Sequence, residues 1–274
     1  MIVESVTRRV MTVLCCVLWL GTTAPVQAQE SFVPQVGQAG KDVVWVPTPP
    51  ALVERMLDLA KVTREDFVVD LGSGDGRMVI AAARRGARSL GIEFNPKMVE
   101  MSKQSAAAAG VGEQARFIEG DMFRADFSTA NVLALFLLPS NMNRLREKFF
   151  NLEPGTRIVS NTFGIVEWMP DETSTLDGCT AWCTALLWIV PAKAGGTWKM
   201  DKEEIVLTQN FQMVTGTVGG VPIENGRIRG RELRFTVNQM EFVARLTGST
   251  MEGDVRSPGT GVPVRSWRAT RSGG

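Results

Sequence analysis

The 274-residue sequence contains no histidine and no tyrosine. Without histidine, the commonest general base and any imidazole metal site are excluded. Its four cysteines, Cys15, Cys16, Cys179 and Cys183, have no spacing that suggests zinc. Charge of one sign is also lacking. Thirty basic residues against 29 acidic leave a net +1, which gives no electrostatic case for nucleic acid or an anionic membrane as a partner. The apolar run near the start, Met11 to Gly21, is too short for a comfortable membrane span. Two nucleotide signatures are missing as well. No G-x-G-x-x-G follows a strand-like run, and no Lys-Ser/Thr follows the glycine loop described next.

What is present is Phe67-Val68-Val69-Asp70-Leu71-Gly72-Ser73-Gly74-Asp75-Gly76-Arg77. An apolar run ends in an acid, glycines follow at alternate positions, and Met78 to Arg85 reads as helix. This predicts a buried parallel strand, a tight loop and a crossover helix. The next strand ends at Glu93, followed by Phe94 and Asn95, where an acid is placed to accept hydrogen bonds from ribose hydroxyls. The third, Ala115 to Ile118, leads to Asp121-Met122, an acid and an apolar side chain suited to an adenine amino group and ring face. Taken singly, each acid is an ordinary helix-start residue. Together Asp70, Gly72, Gly74, Gly76, Glu93 and Asp121 resemble the class I S-adenosylmethionine methyltransferases in order and spacing.

Helix and strand patterns alternate from Pro96 to Ser160, with Asn131 to Leu137 the expected sheet centre. The fold class is therefore α/β, a doubly wound Rossmann-like sheet with ligands beyond the strand C-termini. Upstream, Val46-Pro47-Thr48-Pro49 reads as a rigid helix start or as a lid strand over the cofactor's methionine end, with Pro47 and Thr48 facing it. The fourth strand ends in Phe136-Leu137-Leu138-Pro139, where the transferable methyl is expected. Phe136, Leu137, Pro139 and, as an orienting group, Asn143 are the candidate catalytic residues.

The flanks differ in character. Residues 1–28 resemble a secretory signal, with Arg8 and Arg9 before the apolar run and a cut expected after Val26-Gln27-Ala28. The alternative is an uncleaved membrane anchor. Residues 29–44 read as a tail or linker, and 45–194 as the methyltransferase domain. From 195 to 274 short alternating runs predict a small antiparallel β-rich module, curved or half-barrel-like. Within it Arg227, Arg229, Arg231 and Arg234 read as a solvated basic face. Cys179 and Cys183 would bridge only across a turn, and a free pair is an equal expectation.

The segments Val46-Pro47-Thr48-Pro49, Asp70 to Arg77, Gly91 to Pro96, Phe136 to Pro139 and Pro154 to Ser160 resemble one methyltransferase family. It contains the lysine methyltransferases of the ATP synthase c-subunit and the adenine nucleotide translocase, with bacterial relatives. The resemblance implies S-adenosylmethionine as cofactor and a protein lysine as acceptor, a membrane-proximal one included, and the residues themselves suggest no metal. It leaves open the oligomeric state, a small-molecule or lipid acceptor, and an exported non-catalytic binding protein on the same fold. The exported readings place the protein in a bacterial periplasm.

Overall fold

The computed structural model describes residues 32–272, so the signal-like segment 1–28 lies outside the described residues. The first body of structure opens with α1 (Pro50–Leu59), which has Pro50 at its first turn. There follow β1 (Phe67–Leu71), α2 (Arg77–Arg84), β2 (Arg88–Glu93), α3 (Pro96–Ala108), β3 (Ala115–Glu119), β4 (Val132–Leu135), α4 (Pro139–Phe150) and β5 (Arg157–Asn161). A hairpin, β6 (Glu172–Thr175) and β7 (Thr184–Ile189), completes a seven-stranded sheet in the order β3-β2-β1-β4-β5-β7-β6. β1 to β5 are parallel, and β7 runs antiparallel to β5.

Strand side chains alternate between two buried faces. Val68, Val132 and Val159 pack with Leu52, Met56 and Leu57 of α1. Val69, Leu133 and Ile158 pack on the other side with Met142, Leu145 and Phe149 of α4. Burial on both sides is why the strands read as continuous apolar runs, and why β4, fourth of seven, is the sheet centre expected from Asn131 to Leu137. Each fully buried aliphatic side chain contributes about 1.5–3 kcal/mol.

The rest of the chain is β8 (Gly196–Met200), β9 (Glu203–Asn210), β10 (Met213–Val218), β11 (Val221–Pro222), β12 (Glu224–Arg229), β13 (Glu232–Val237), β14 (Met240–Thr247), β15 (Thr250–Arg256) and β16 (Pro263–Arg271). Successive strands pair antiparallel, β16 returns to β8, and β9 pairs with β10. The expected half-barrel is therefore a closed up-and-down barrel, with β11 a short extension of β10 outside the ring. Closure removes the sheet edges that an open meander would leave. The interior is filled: Phe235 stacks on Phe242 at 4.9 Å, and Trp267 meets both edge-on at 6.1 and 5.6 Å.

Three of the four barrel arginines expected on a solvated face instead join the barrel to the sheet. Arg227 pairs with Asp171 at 2.7 Å, Arg229 with Glu172 and Arg231 with Glu153. Between them Phe211 stacks on Trp168 with centroids 5.1 Å apart and meets Phe150 edge-on. Gln212 Nε2 donates to the Met169 carbonyl at 2.6 Å. These acids lie far from the arginines in sequence, so local pattern gave no sign of the pairing.

Candidate active site

The chain leaves β1 at Leu71 and turns through Gly72 and Gly74, with φ of +73° and +55°. A Cβ on Gly74 would stand 2.7 Å from Trp45 Nε1, so glycine is what lets the loop and the Trp45 segment meet. The loop borders a cleft of about 710 Å³, counting its open mouth, beyond the C-terminal ends of β1, β2 and β4. Of the expected cofactor residues, Pro47, Thr48, Asp70, Gly72, Ser73, Gly74, Glu93 and Asn95 line it.

Glu93 is held by two backbone donors. Gly74 N–H donates to Oε2 and Asn95 N–H to Oε1, each at 2.9 Å. Asn95 caps α3 by accepting from Lys97 N–H at 3.0 Å. Arg77 ties the loop to the upstream segment, binding Asp75 through its guanidinium and donating to the Thr48 carbonyl at 2.8 Å. Thr48 Oγ1 in turn accepts from the buried Asn161 Nδ2, at the tip of β5, at 3.3 Å.

Asp70 is 6% exposed and has no salt bridge among the described residues. Burial first, then the nearby charges of Glu93 and Asp75, push its pKa well above the usual carboxylate value. A buried acid facing two others is suited to a cationic ligand. S-adenosylmethionine, with its sulfonium and ammonium groups, fits that charge and fits the glycine cradle beside Glu93.

The packing gives the other expected residues the following surroundings. Gly76 is the N-cap of α2, and its neighbours are Phe117 and Ser102 rather than the cleft. Ser73 borders the cleft, but its hydroxyl packs toward Gly91 and is buried without a partner. Met122 is a core residue, because the strand-end turn directs it inward beside Phe127 and Leu133. Asp121 is paired to Lys41 at 2.5 Å, and Phe94 lies half-exposed beneath the same ammonium. Residues 32–44, expected to be a tail or linker, form a strap along the cleft. Gln38, Ala39, Gly40, Val43 and Val44 contribute to its wall, and Ala39 bridges to Val44. Short polar spacing without periodicity hid this segment, since its order comes from what it lies on.

Phe136 stands where the cleft meets a second, apolar cavity of about 420 Å³, again counting its open mouth. Val43, Val44 and Val46 border both, and the second adds Leu137, Leu138, Phe163 and Trp182. Pro139 and Asn143 border neither. Pro139 is the exposed first residue of α4, and Asn143 points to solvent from that helix. The buried amide is Asn141, whose Nδ2 donates to the Asp42 carbonyl at 3.1 Å and so anchors the strap. Phe163 and Trp182 were missed. The one sequence signal for Trp182 is its place between two nearby cysteines, and Cys179 and Cys183 are indeed disulfide-bonded across the turn.

This sheet order, with a reversed β7 and a glycine loop between a buried acid and Glu93, defines a class I methyltransferase. Residues 70–172 match the family described as the ANTKMT methyltransferase domain. A protein-lysine N-methyltransferase of Saccharolobus islandicus is 36% identical over 151 residues, 54% of this chain and 94% of that protein. The ATP synthase c-subunit lysine N-methyltransferase of Rattus norvegicus is 35% identical over 142 residues, 51% of this chain and 66% of that one. Among solved structures, an RNA methyltransferase from Salinibacter ruber in complex with S-adenosyl-L-homocysteine superposes with a TM-score of 0.52 at 47% identity. The match covers 54% of this chain and 95% of that chain. The chain belongs to this family of S-adenosylmethionine-dependent methyltransferases, and it is an enzyme of that class.

Proposed function

We propose that the enzyme N-methylates a lysine side chain of a protein, outside the cytosol. The observation that carries this reading is the apolar cavity at Phe136. Every residue bordering it is aliphatic or aromatic, and none can ionise. A lysine entering such a cavity loses hydration, which lowers the amine pKa and favours the neutral nucleophile without a histidine base. The relatives from Saccharolobus islandicus and Rattus norvegicus support a lysine acceptor.

S-adenosylmethionine supplies an electrophilic methyl group on sulfur. Asp70 and the Gly72–Gly74 turn would hold its cationic end and Glu93 its ribose, and Phe136 borders both the cofactor cleft and the acceptor cavity. The amine lone pair forms the N–C bond as the methyl–sulfur bond breaks, and a proton passes from nitrogen to water at the mouth. Orientation and exclusion of water account for the rate.

Two observations support export. Arg8-Arg9, the apolar run and Val26-Gln27-Ala28 have the pattern of a cleaved signal. The Cys179–Cys183 disulfide suits an oxidising compartment.

The test is transfer of isotopically labelled methyl to separated protein, RNA and lipid fractions of the source cells. Label recovered as methyl-lysine after acid hydrolysis of the protein fraction is the expected result. Label confined to RNA, the acceptor class named for the Salinibacter ruber enzyme, or to lipid would replace this reading. N-terminal sequencing of the protein from the periplasmic fraction should begin at Gln29.

A further inference from the structure

Three rings from distant parts of the chain meet in the lining of the apolar cavity. Phe136 follows β4, Phe163 follows β5, and Trp182 lies between β6 and β7. Phe136 and Phe163 stack with centroids 6.0 Å apart, and Trp182 lies 5.5 and 5.4 Å from them. They form a continuous aromatic wall rather than a packed core, since Trp182 remains 37% exposed.

Trp182 is held there against its local preference. Its φ is +56°, a left-handed conformation that a bulky side chain rarely adopts. Cys179 and Cys183 close the turn around it. A strained, partly exposed aromatic residue on a cross-linked turn that lines a cavity is an arrangement that folding alone does not require.

Resting on the lysine reading above, we propose that Trp182 is a specificity-determining residue. Its exposed ring, backed by Phe136 and Phe163, receives the acceptor while it is still an ammonium, before the cavity takes up the neutral amine, and favours N-methylated over unmethylated nitrogen. The physical basis is the negative face of the ring, which attracts a cation whose methyl groups have already shed water. The Cys179–Cys183 bond positions the ring and touches no substrate itself. Partly methylated lysine is then retained for further transfer.

The experiment uses the full mature chain saturated with S-adenosyl-L-homocysteine. Nε-trimethyl-lysine and its neutral carbon isostere, of the same shape without the charge, are titrated in calorimetry. The expected result is a preference for the cation of about fivefold. It should be lost in Trp182→Ala and in Cys179→Ser/Cys183→Ser, and largely kept in Trp182→Phe, with S-adenosyl-L-homocysteine affinity unchanged in all three. Equal binding of the two probes, or no binding of either by protein that still binds S-adenosyl-L-homocysteine, overturns the proposal. So does a preference that survives Trp182→Ala. Failure of the lysine reading is separate, because it shows as label outside methyl-lysine in the transfer assay.

Discussion

Lys41 reaches from the strap to Asp121, its ammonium 2.5 Å from the carboxylate and 4.9 Å above the Phe94 ring. One side chain thus joins the segment before the fold to the tips of β2 and β3. The hydrogen bond from Lys41, ahead of that from Phe123 N–H, holds the Asp121 carboxyl below its usual pKa. Whatever stability the pair contributes is present above the ordinary carboxylate range and fades as pH falls through the lowered value. Lys41→Ala should weaken S-adenosylmethionine binding about two- to fivefold, the range for a partly exposed pair. The loss should shrink at high salt. Calorimetry at two ionic strengths checks it, and equal affinities for variant and wild type would mean that the strap closes without this contact.

Asp70 carries the opposite sign. Its folded-state pKa is raised, so the folded protein binds a proton more readily than the unfolded chain. Stability from this group therefore falls as pH rises from the ordinary carboxylate value through the raised one. Asp70→Asn should raise the Tm of the cofactor-free protein at neutral pH, by an amount that vanishes in acid. It should at the same time abolish measurable S-adenosylmethionine binding. For the wild type, cofactor affinity should drop as Asp70 protonates. A variant that is no more stable at pH 7, by thermal melts across pH, would contradict the assigned burial.

Glu93 and Gly74 share a hydrogen bond, so their variants should fail together. Glu93→Ala leaves Gly74 N–H and Asn95 N–H without their acceptor and removes the proposed ribose ligand, a loss of about 10- to 100-fold in cofactor affinity. Gly74→Ala places a Cβ against Trp45 at a positive φ and should cost at least as much. Circular dichroism should show the barrel intact in both. Retained affinity in either would place the cofactor elsewhere.

The barrel arginines separate by partner. Arg227 neutralises Asp171, whose side chain is 1% exposed, whereas Arg234 pairs on the surface with Glu232 and Glu241. Arg227→Ala should destabilise by about 1–3 kcal/mol, because a buried carboxylate loses its partner. Arg234→Ala should stay within about 0.5 kcal/mol. Urea unfolding of the two variants provides the comparison, and equal effects would remove the distinction between seam and surface.

Phe211→Ala deletes the ring that stacks on Trp168 and meets Phe150. The expected cost is about 2–4 kcal/mol. If the seam is one cooperative unit, sheet and barrel should still melt in a single transition by calorimetry. Two transitions in the variant would show that the ion pairs of the seam do not couple them without this ring.

By itself the sequence determined the parallel sheet, the glycine turn and the acids at its strand tips. Those features are local: a two-sided apolar run, a loop that needs positive φ, and an acid at the end of a strand are each written within a few residues. The resemblance to lysine methyltransferases rested on the same short segments. Tertiary structure decided what depends on partners far along the chain. Asp121 faces Lys41 across 80 positions, and Met122 turns into the core because Phe127 and Leu133 are there to receive it. Asn141, not Asn143, is the anchored amide, since helical phase puts one against the strap and the other in solvent. The barrel closed because β16 returned to β8 at the far end of the module, a pairing that no alternating pattern specifies. The aromatic wall of Phe136, Phe163 and Trp182 arises in the same way, from three loops brought to one cavity by the order of the sheet.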